Sequence, residues 1–534
     1  MTEVRALRPT TEPSGASSRR PAARDALTVF VLAAGLAVAT SGLPSLWYDE
    51  AATTSAATRT WAQLWDLAQV TNAAQVVYYA LLHVWTSVAG TSAVALRLPS
   101  ALALGAAAAG TTLLARRSLP RWTAVGAGAV VALLPRTAWS GVEARPYALT
   151  AAVAVWSVLV LLVALERRAA RWWVAYAALA AFGVGLYVYL ALLVAAQGLW
   201  LLLARRPLRE LVTWGVAAGA AAVLVSPLVL LASGQTGQLG IDSRPSPLVL
   251  ARQLFVNEFF LGDTPTPVVP SLPDPGPAAF TTTWTVAAVL LALLGWSVAV
   301  RGAAVWPRGG AALPGTVDRP GDVRLLLVLW LVLPVVVVSG YSLLVAPMYV
   351  PRYFTFCAPA LALLVAHGLA SLGGRRRTTA AVLAGVLLCV PVLASQRTPW
   401  AKNGADWDRV ADVVAAGPRQ DAGVYFAPTR ESVEGDALVA TTRQAAVAYP
   451  SAFRGLRDTT AASSPVQDRS LVGTSRPLAQ SVQQLDGLEV LWVVRRVDDP
   501  LRTAAADDAL LTAQGFTPVG EWRWSQDEVV LLRR

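Results

Sequence analysis

Two adjacent carboxylates, Asp49 and Glu50, follow the first long apolar stretch of the chain, within the sequence Leu-Trp-Tyr-Asp-Glu. A carboxylate at the mouth of a membrane cavity can accept a proton from an attacking hydroxyl group, and its neighbour can position a reactant or bind a cation. The alternative is a solvated acidic pair that ends a helix and hydrates a loop. We take Asp49 and Glu50 as the candidate catalytic residues.

A second group of charged and aromatic residues lies at 140–147, in the sequence Ser-Gly-Val-Glu-Ala-Arg-Pro-Tyr. Glu143 and Arg145 are two residues apart, so they could pair or diverge at a helix end. Arg145 could bind a phosphate oxygen, because the guanidinium fork donates two hydrogen bonds. Alternatively, Arg145 is an interfacial anchor and Tyr147 lies in the aromatic belt of a membrane. We predict Glu143 and Arg145 as substrate-binding residues.

Two further arginines, Arg352 and Arg97, lie close to the start of apolar stretches, within 349–353 (Tyr-Val-Pro-Arg-Tyr) and 96–99 (Leu-Arg-Leu-Pro). Both fall on the predicted outer side of the membrane, where arginine is uncommon. Exceptions to this trend point to anionic ligands, although structural anchoring would give the same pattern. We therefore predict that Arg352, its neighbour Tyr353, and Arg97 bind substrate.

The block 74–89 is short for a membrane span and carries Tyr78, Tyr79 and His83. The histidine could contact a substrate together with the two tyrosines, or it could be a packed residue. The tyrosines could equally belong to the aromatic belt. We include all three among the candidate substrate-binding residues.

The composition indicates a membrane protein. Of 534 residues, 55% are hydrophobic and 14% are charged, and the apolar residues form blocks long enough to span a bilayer. The net charge of +11 comes from arginines grouped between these blocks, as the positive-inside rule expects, so it indicates topology and not nucleic-acid binding. The two cysteines, Cys357 and Cys389, lie in apolar runs, which supports neither a disulfide framework nor a zinc site.

The apolar blocks predict an all-α, polytopic membrane protein with about eleven spans of about 20 residues each. The predicted spans are about 26–43, 96–115, 122–138, 149–165, 172–187, 188–204, 211–233, 281–300, 325–345, 354–371 and 378–396. The arginine groups all fall on the cytoplasmic side only if 74–89 is re-entrant or interfacial. The predicted outer segments are then 45–95, 139–148, 234–280, 346–353 and everything after about 397.

The chain divides into three predicted parts. Residues 1–25 are rich in Pro, Ser and Arg and read as a disordered cytoplasmic tail. Residues 26–396 form the membrane part, with 45–95 as the first outer loop with interfacial helices. Residues 397–534 have the pattern of an extracytoplasmic α/β domain. Its helices are predicted at 406–416, 436–448 and 500–514, and its strands at 423–427, 488–494, 516–524 and 528–532.

Taken in order, these motifs resemble the membrane-embedded glycosyltransferases of the GT-C fold, in particular the protein O-mannosyltransferase-like and aminoarabinose-transferase-like group. The resemblance covers about residues 25–396. It rests on the residues at 47–50, 78–85, 90–92, 96–101, 143–147 and 351–353.

The resemblance implies transfer of a sugar from a polyprenyl-phosphate donor, with inversion, to an acceptor on the outer face of the plasma membrane. By position, Asp49 looks like the general base. Glu50 and Glu143 look like acids that support the acceptor or a cation. Arg145 and Arg352 look like ligands for the lipid phosphate.

Mannose is the first candidate sugar and a pentose such as arabinose is the next. The implied partners are the lipid-linked donor, membrane lipid, and an envelope glycan, glycolipid or protein acceptor. The cofactor stays open, because a divalent cation could bind at Asp49, Glu50 or Glu143, but their spacing is no distinctive metal motif.

A transporter or flippase for lipid-linked sugars is the alternative function. Such a protein should carry charged residues at mid-membrane depth and often shows a repeated half. The predicted spans are nearly free of charge, and the sequence has no evident repeat. These features favour the enzyme.

Overall fold

The computed structural model of the protein describes residues 16–235, 246–262, 278–305, 320–429, 432–434, 437–439, 441–498 and 502–534. Residues 1–15 of the predicted tail and much of the predicted outer loop 234–280 lie outside these ranges.

The first part of the chain is helical. In chain order its helices are α1 (Ala16–Thr40), α2 (Tyr48–Ala57), α3 (Trp61–Val70), α4 (Val76–Ala89), α5 (Ala93–Ala115), α6 (Arg121–Leu133), α7 (Pro135–Ser140), α8 (Tyr147–Arg167), α9 (Ala170–Leu186), α10 (Leu190–Leu203), α11 (Leu208–Ser233), α12 (Pro247–Arg252), α13 (Ala278–Ala304), α14 (Pro320–Leu344), α15 (Ala358–Ala370) and α16 (Arg375–Ser395). A π-helical turn follows α12 at Gln253–Leu261, and 3₁₀ turns precede α4 and α15 at Ala73–Gln75 and Pro351–Cys357.

Within the described residues, eight helices are long and apolar enough to cross a membrane by length and composition. They are α1, α5, α8, α11, α13, α14, α15 with its preceding turn, and α16. Three shorter apolar helices, α6, α9 and α10, lie where the remaining spans were predicted. The polytopic all-α body is thus confirmed, whereas the number of spans stays a prediction. Helix α1 begins at Ala16, so residues 16–25 are helical and do not belong to a disordered tail.

The segment predicted as the first outer loop contains α2, α3 and α4. A capping box of Thr60 and Gln63 begins α3, which exposes Trp61 and Trp65 and buries Leu64. This division suits the helix predicted to lie in the membrane interface. Helix α4 ends before Gly90, whose positive φ of 77° closes the helix.

The C-terminal domain is a small α/β fold, as predicted. Its elements are α17 (Trp407–Ala416), β1 (Ala422–Ala427), β2 (Ser432–Glu434), β3 (Ala437–Val439), α18 (Arg443–Ala448), β4 (Arg457–Asp458), β5 (Ala461–Ser463), β6 (Thr474–Ser475), β7 (Val490–Arg496), α19 (Ala504–Ala513), β8 (Thr517–Arg523) and β9 (Asp527–Arg533). The main sheet has the order β4-β1-β7-β9-β8. Strands β4, β1 and β7 are parallel, and β9 is antiparallel to both β7 and β8.

The prediction of a helix at 436–448 is wrong for the first half of this segment. Residues 437–439 form β3, and only Arg443–Ala448 is helical. Thr441 and Thr442, the β-branched residues just before this helix, disfavour a helical conformation. The hydroxyl of Thr442 instead donates to the carbonyls of Ala427 and Val494, at the ends of β1 and β7.

The C-terminal domain and the membrane body share one hydrophobic core, in which α18 packs against α2. The backbone N–H of Leu46 donates to the hydroxyl of Tyr449 at 2.8 Å, and the backbone N–H of Asp408 donates to Ser45 Oγ at 3.2 Å. The segment before α2 is therefore held by the C-terminal domain. The predicted boundary near residue 397 separates parts that are packed together.

Helices α13 and α15 cross with their backbones in contact at Gly302 and Gly368. A Cβ atom on Gly368 would overlap the carbonyl of Val298, and one on Gly302 would overlap the carbonyl of Leu364. Close crossings of this kind are typical where small residues face each other between membrane helices.

We expect Gly368→Val to lower the free energy of unfolding by about 1–3 kcal/mol or more, because the added side chain forces the helices apart. Thermal melting of the detergent-purified protein measures this. The matched control is Gly340→Val, where a Cβ atom meets nothing within 4 Å. Equal melting temperatures for the two variants would contradict the crossing.

Candidate active site

Asp49 lies in the first turn of α2 between two arginines. Its Oδ1 accepts a hydrogen bond from Arg145 Nη2 at 2.8 Å, and its Oδ2 lies 3.5 Å from Arg352 Nη2. The amino end of a helix also favours negative charge. Three residues from separate predicted motifs therefore meet at one point.

Arg145 is held from two sides. Besides its bond to Asp49, its Nη1 donates to the hydroxyl of Tyr79 at 3.3 Å. Burial alone would lower the pKa of Arg145, but the neighbouring Asp49 carboxylate raises that pKa well above its usual value. Arg145 is therefore a fixed cation at this site, and Tyr79 contacts it directly.

Arg352 is the more accessible of the two arginines. Its side chain is 25% exposed, against 10% for Arg145. Its guanidinium carbon lies 5.8 Å from the centre of the Trp47 ring. Arg352 is thus the partner of Asp49 that is more accessible to solvent.

Behind Arg352, four tyrosine rings form a tyrosine cluster: Tyr147, Tyr187, Tyr189 and Tyr353. Tyr353 stacks on Tyr147 with ring centres 6.3 Å apart, and its edge contacts with Tyr187 and Tyr189 are at 5.4 and 5.7 Å. Sequence analysis selected Tyr353 for substrate binding but not Tyr187 or Tyr189. The Tyr-Val-Tyr run after α9 was the available signal.

Glu50 forms a buried ion pair with Arg97, and both side chains are 0% exposed. Arg97 Nε and Nη2 donate to the two carboxylate oxygens of Glu50 at 2.7 and 2.5 Å. The remaining guanidinium N–H groups donate to the carbonyls of Ser41, Pro44 and Ser45. The donors of Arg97 are thus all occupied by the protein.

The same carboxylate anchors the loop between α7 and α8. Glu50 Oε1 accepts a hydrogen bond from the backbone N–H of Ala144 at 2.8 Å, and Thr53 Oγ1 donates to the carbonyl of Ala144 at 3.0 Å. Burial would raise the pKa of Glu50, but the Arg97 guanidinium holds that pKa below its usual value. These contacts give Glu50 and Arg97 structural partners and do not support the predicted catalytic role of Glu50 or the predicted substrate binding by Arg97.

Glu143 is also fully buried, and its Oε1 lies 4.0 Å from Lys402 Nζ. Lys402 in turn lies 3.8 Å from the centre of the Trp139 ring. Lys402 was not among the residues predicted from the sequence. It lies shortly after the last predicted span and is the single lysine of the chain.

The other predicted residues lie around this centre. Tyr78 is buried in the core, with its ring 6.4 Å from that of Tyr79. His83 Nδ1 lies 3.0 Å from the carbonyl of Ala57, and the imidazole packs edge-on against Trp61. Ala57 is the last residue of α2, about 12 Å along the helix from Asp49. The described contacts therefore bring His83 to the far end of α2.

Among the residues that the structure describes, no group of three or more His, Cys, Asp or Glu side chains is placed to hold a metal ion. The charges around Asp49 are two arginines, and those around Glu50 and Glu143 are Arg97 and Lys402. The site is thus suited to an anionic ligand that enters beside a carboxylate.

The sequence profile of the family described as dolichyl-phosphate-mannose-protein mannosyltransferase matches residues 74–230. The match includes Tyr79 and Arg145 but neither Asp49 nor Arg352. No curated protein matches the chain in sequence.

Among solved structures, the chain is similar to ArnT from Cupriavidus metallidurans bound to undecaprenyl phosphate. The TM-score is 0.55 and the identity 13%, over 97% of this chain and 98% of ArnT. The apo structure of the same ArnT gives a TM-score of 0.53 and 14% identity, over 96% and 98% of the two chains. Because the identity is low, this likeness establishes the fold and not the activity. The chain therefore has the GT-C fold and is similar to the mannosyltransferase and ArnT group of membrane proteins within it.

Proposed function

We propose that the protein is a glycosyltransferase that moves a sugar from a polyprenyl-phosphate donor to a hydroxyl group of a cell-envelope glycan, glycolipid or protein. The observation that carries this proposal is the Asp49 carboxylate held between Arg145 and Arg352. A carboxylate beside two cations provides both a base for the acceptor and a site for a phosphate leaving group.

The reaction would be a single displacement with inversion. The acceptor oxygen attacks the anomeric carbon, the bond from that carbon to the phosphate oxygen breaks, and the acceptor proton passes to Asp49. The phosphate leaves with the bonding electron pair, so it needs stabilisation by cations more than it needs a proton. Inversion requires the acceptor oxygen to attack from the side of the sugar opposite the leaving phosphate. Because Asp49 and Arg352 are 3.5 Å apart in this structure, the two would separate when the sugar enters between them.

The two arginines differ in a way that suggests separate roles. Arg145 bonds Asp49 at 2.8 Å and is mostly buried, whereas Arg352 lies at 3.5 Å and is more exposed. We assign Arg352 to the donor phosphate, which would compete with Asp49 for its guanidinium group. Arg145 would keep Asp49 oriented while this exchange takes place.

The aromatic residues suit the remaining parts of the substrate. Tyr353 stands next to Arg352 and could stack on the sugar or the first lipid units, while Tyr79 supports Arg145. Mannose is the first sugar to test because the matching family profile is that of a mannosyltransferase, and arabinose is the next. By the positive-inside rule, the proposed site and the C-terminal domain would lie on the outer face of the plasma membrane.

Glu50 has a different role in this proposal from the catalytic one first predicted. Its carboxylate is enclosed with Arg97 and cannot reach an acceptor without breaking that pair. We assign it to positioning, because it fixes the loop that carries Arg145.

We expect Asp49→Asn to lower the rate of transfer by about 10²–10⁴-fold, because the amide keeps the shape of the carboxylate and removes its basicity. Purified protein is incubated with radiolabelled polyprenyl-phosphate mannose or arabinose and envelope extract. The control is Asp66→Asn, an exposed carboxylate on α3, which should transfer at the wild-type rate.

Substantial transfer by Asp49→Asn would mean that the base lies elsewhere. If folded wild-type protein moves neither label, the transferase proposal fails and lipid translocation becomes the function to measure.

We expect Arg352→Ala to raise the KM for the lipid donor by about 10–100-fold, because a hydrogen-bonded cation is lost from the phosphate. The KM for the acceptor should stay unchanged. Arg352→Lys is the matched variant. Its donor KM should lie between those of wild type and Arg352→Ala, since lysine keeps the charge but lacks the two-pronged guanidinium group. An unchanged donor KM in Arg352→Ala would return this arginine to a structural role.

We expect Glu50→Gln to lower the free energy of unfolding by about 3 kcal/mol or more, because Arg97 would be left buried without a carboxylate. Thermal melting in detergent measures this. Glu489→Gln, on the exposed surface of the C-terminal domain, is the control. A variant that melts like wild type would show that the ion pair contributes no net stability.

A further inference from the structure

Lys402 is a buried cation that the proposed reaction does not use. Its side chain is 0% exposed, and it lies in the connection between α16 and α17. Its Nζ has no hydrogen-bond partner among the described residues, and its nearest charged atom is Glu143 Oε1 at 4.0 Å. A buried ammonium group is costly, so the contacts of this lysine need an explanation.

The connection that carries Lys402 is itself built into the membrane body. Gln396 Nε2 donates to the carbonyls of Pro135 and Leu261, and Arg397 Nη2 donates to the carbonyl of Ala138. The carbonyl of Pro399 accepts from the backbone N–H of Ser45 at 3.1 Å. Residues 396–399 are thus fixed to the membrane body, and this holds Lys402 beside Glu143.

Glu143 is joined to the reacting groups by the backbone. The next residue, Ala144, donates to Glu50, and the one after it, Arg145, holds Asp49. The charged groups that face Lys402 are Glu143, Glu50, Arg97 and Arg397. A change in the charge of Lys402 thus acts first on Glu143 and then on the loop that carries Arg145.

We infer that Lys402 is a positioning residue of the transfer reaction, which holds Glu143 and thereby sets Arg145 against Asp49. This inference rests on the proposed function. It also makes the attachment of the C-terminal domain part of the active site, because the connection to that domain supplies the lysine.

The rate of transfer should depend on pH through the charge of Lys402. Burial lowers the pKa of Lys402 from 10.5 to about 8, although Glu143 and Glu50 oppose the shift. Above about pH 8 the lysine becomes neutral and Glu143 loses its counter-charge, so the rate of transfer should fall. Stability should move the other way: because the folded pKa is depressed, the lysine's contribution to folding improves between about pH 8 and 10.5. A lysine that only supported the fold would therefore not cause a loss of rate in this range.

The test compares Lys402→Met, Glu143→Gln and the double variant with wild type, for kcat, donor KM and the pH profile. We expect Lys402→Met to lower kcat by about 10²-fold, because a shift of about 1 Å in a catalytic group has effects of this size. The double variant contains no uncompensated charge, so it should regain activity relative to Lys402→Met. It should also lose the fall in rate above about pH 8.

A wild-type kcat in Lys402→Met would overturn the inference. So would a double variant that keeps the same alkaline fall, or one that is folded but no more active than Lys402→Met.

Melting temperatures of the same four proteins test the contact without any substrate. Each single substitution should lower the melting temperature, and the double variant should recover part of the loss. Strictly additive losses would overturn the Lys402–Glu143 contact. If wild type shows no transfer while the melting data are coupled, the proposed function fails and the contact stands as structural only.

Discussion

The buried Glu50–Arg97 ion pair joins α2 and α5 to the end of α1 and to the loop between α7 and α8. Burying two charged groups away from water costs free energy unless the ion pair has good geometry and the remaining donors and acceptors of both groups form hydrogen bonds. Here the Glu50 carboxylate accepts two hydrogen bonds from the Arg97 guanidinium group, and the other N–H groups of Arg97 donate to backbone carbonyls. The position of Asp49 depends on this pair, because the two carboxylates share one helical turn.

Adjacent residues on a helix point about 100° apart, so Asp49 and Glu50 face different surroundings. Glu50 faces the core and meets Arg97, whereas Asp49 faces Arg145 and the partly exposed Arg352. Two carboxylates side by side in sequence are thus suited to different tasks. Glu50 is enclosed and fixes the loop, whereas Asp49 contacts the more exposed Arg352, where we propose that the donor phosphate binds.

The C-terminal domain is not a separate module. It shares a hydrophobic core with α2, α3 and α4, and its Tyr449 binds the segment before α2. The connection to this domain places Lys402 beside Glu143. Leu46 lies three residues before Asp49, and Glu143 lies two residues before Arg145. The geometry of the proposed site is accordingly set by both parts of the chain.

By itself, the sequence determined the polytopic helical body, the α/β domain and the motifs that hold Asp49, Arg145 and Arg352. It did so because apolar blocks of spanning length and charged residues at their ends are local properties of the chain. The local pattern was wrong at residues 16–25, which are helical and not disordered, and in part of the helix predicted at 436–448, where residues 437–439 form a strand.

Only the tertiary structure decided what each charge does. Residue type made Asp49 and Glu50 equivalent, and Arg97 looked like Arg352, since all four lie at the ends of apolar stretches. Their contacts involve residues that are 47 to 303 positions apart in sequence, as for Arg97 with Glu50 and Arg352 with Asp49. Lys402 was not among the predicted site residues, because its partner Glu143 lies far away along the chain. Burial and pairing arise from the packing of distant segments, and no local pattern records them.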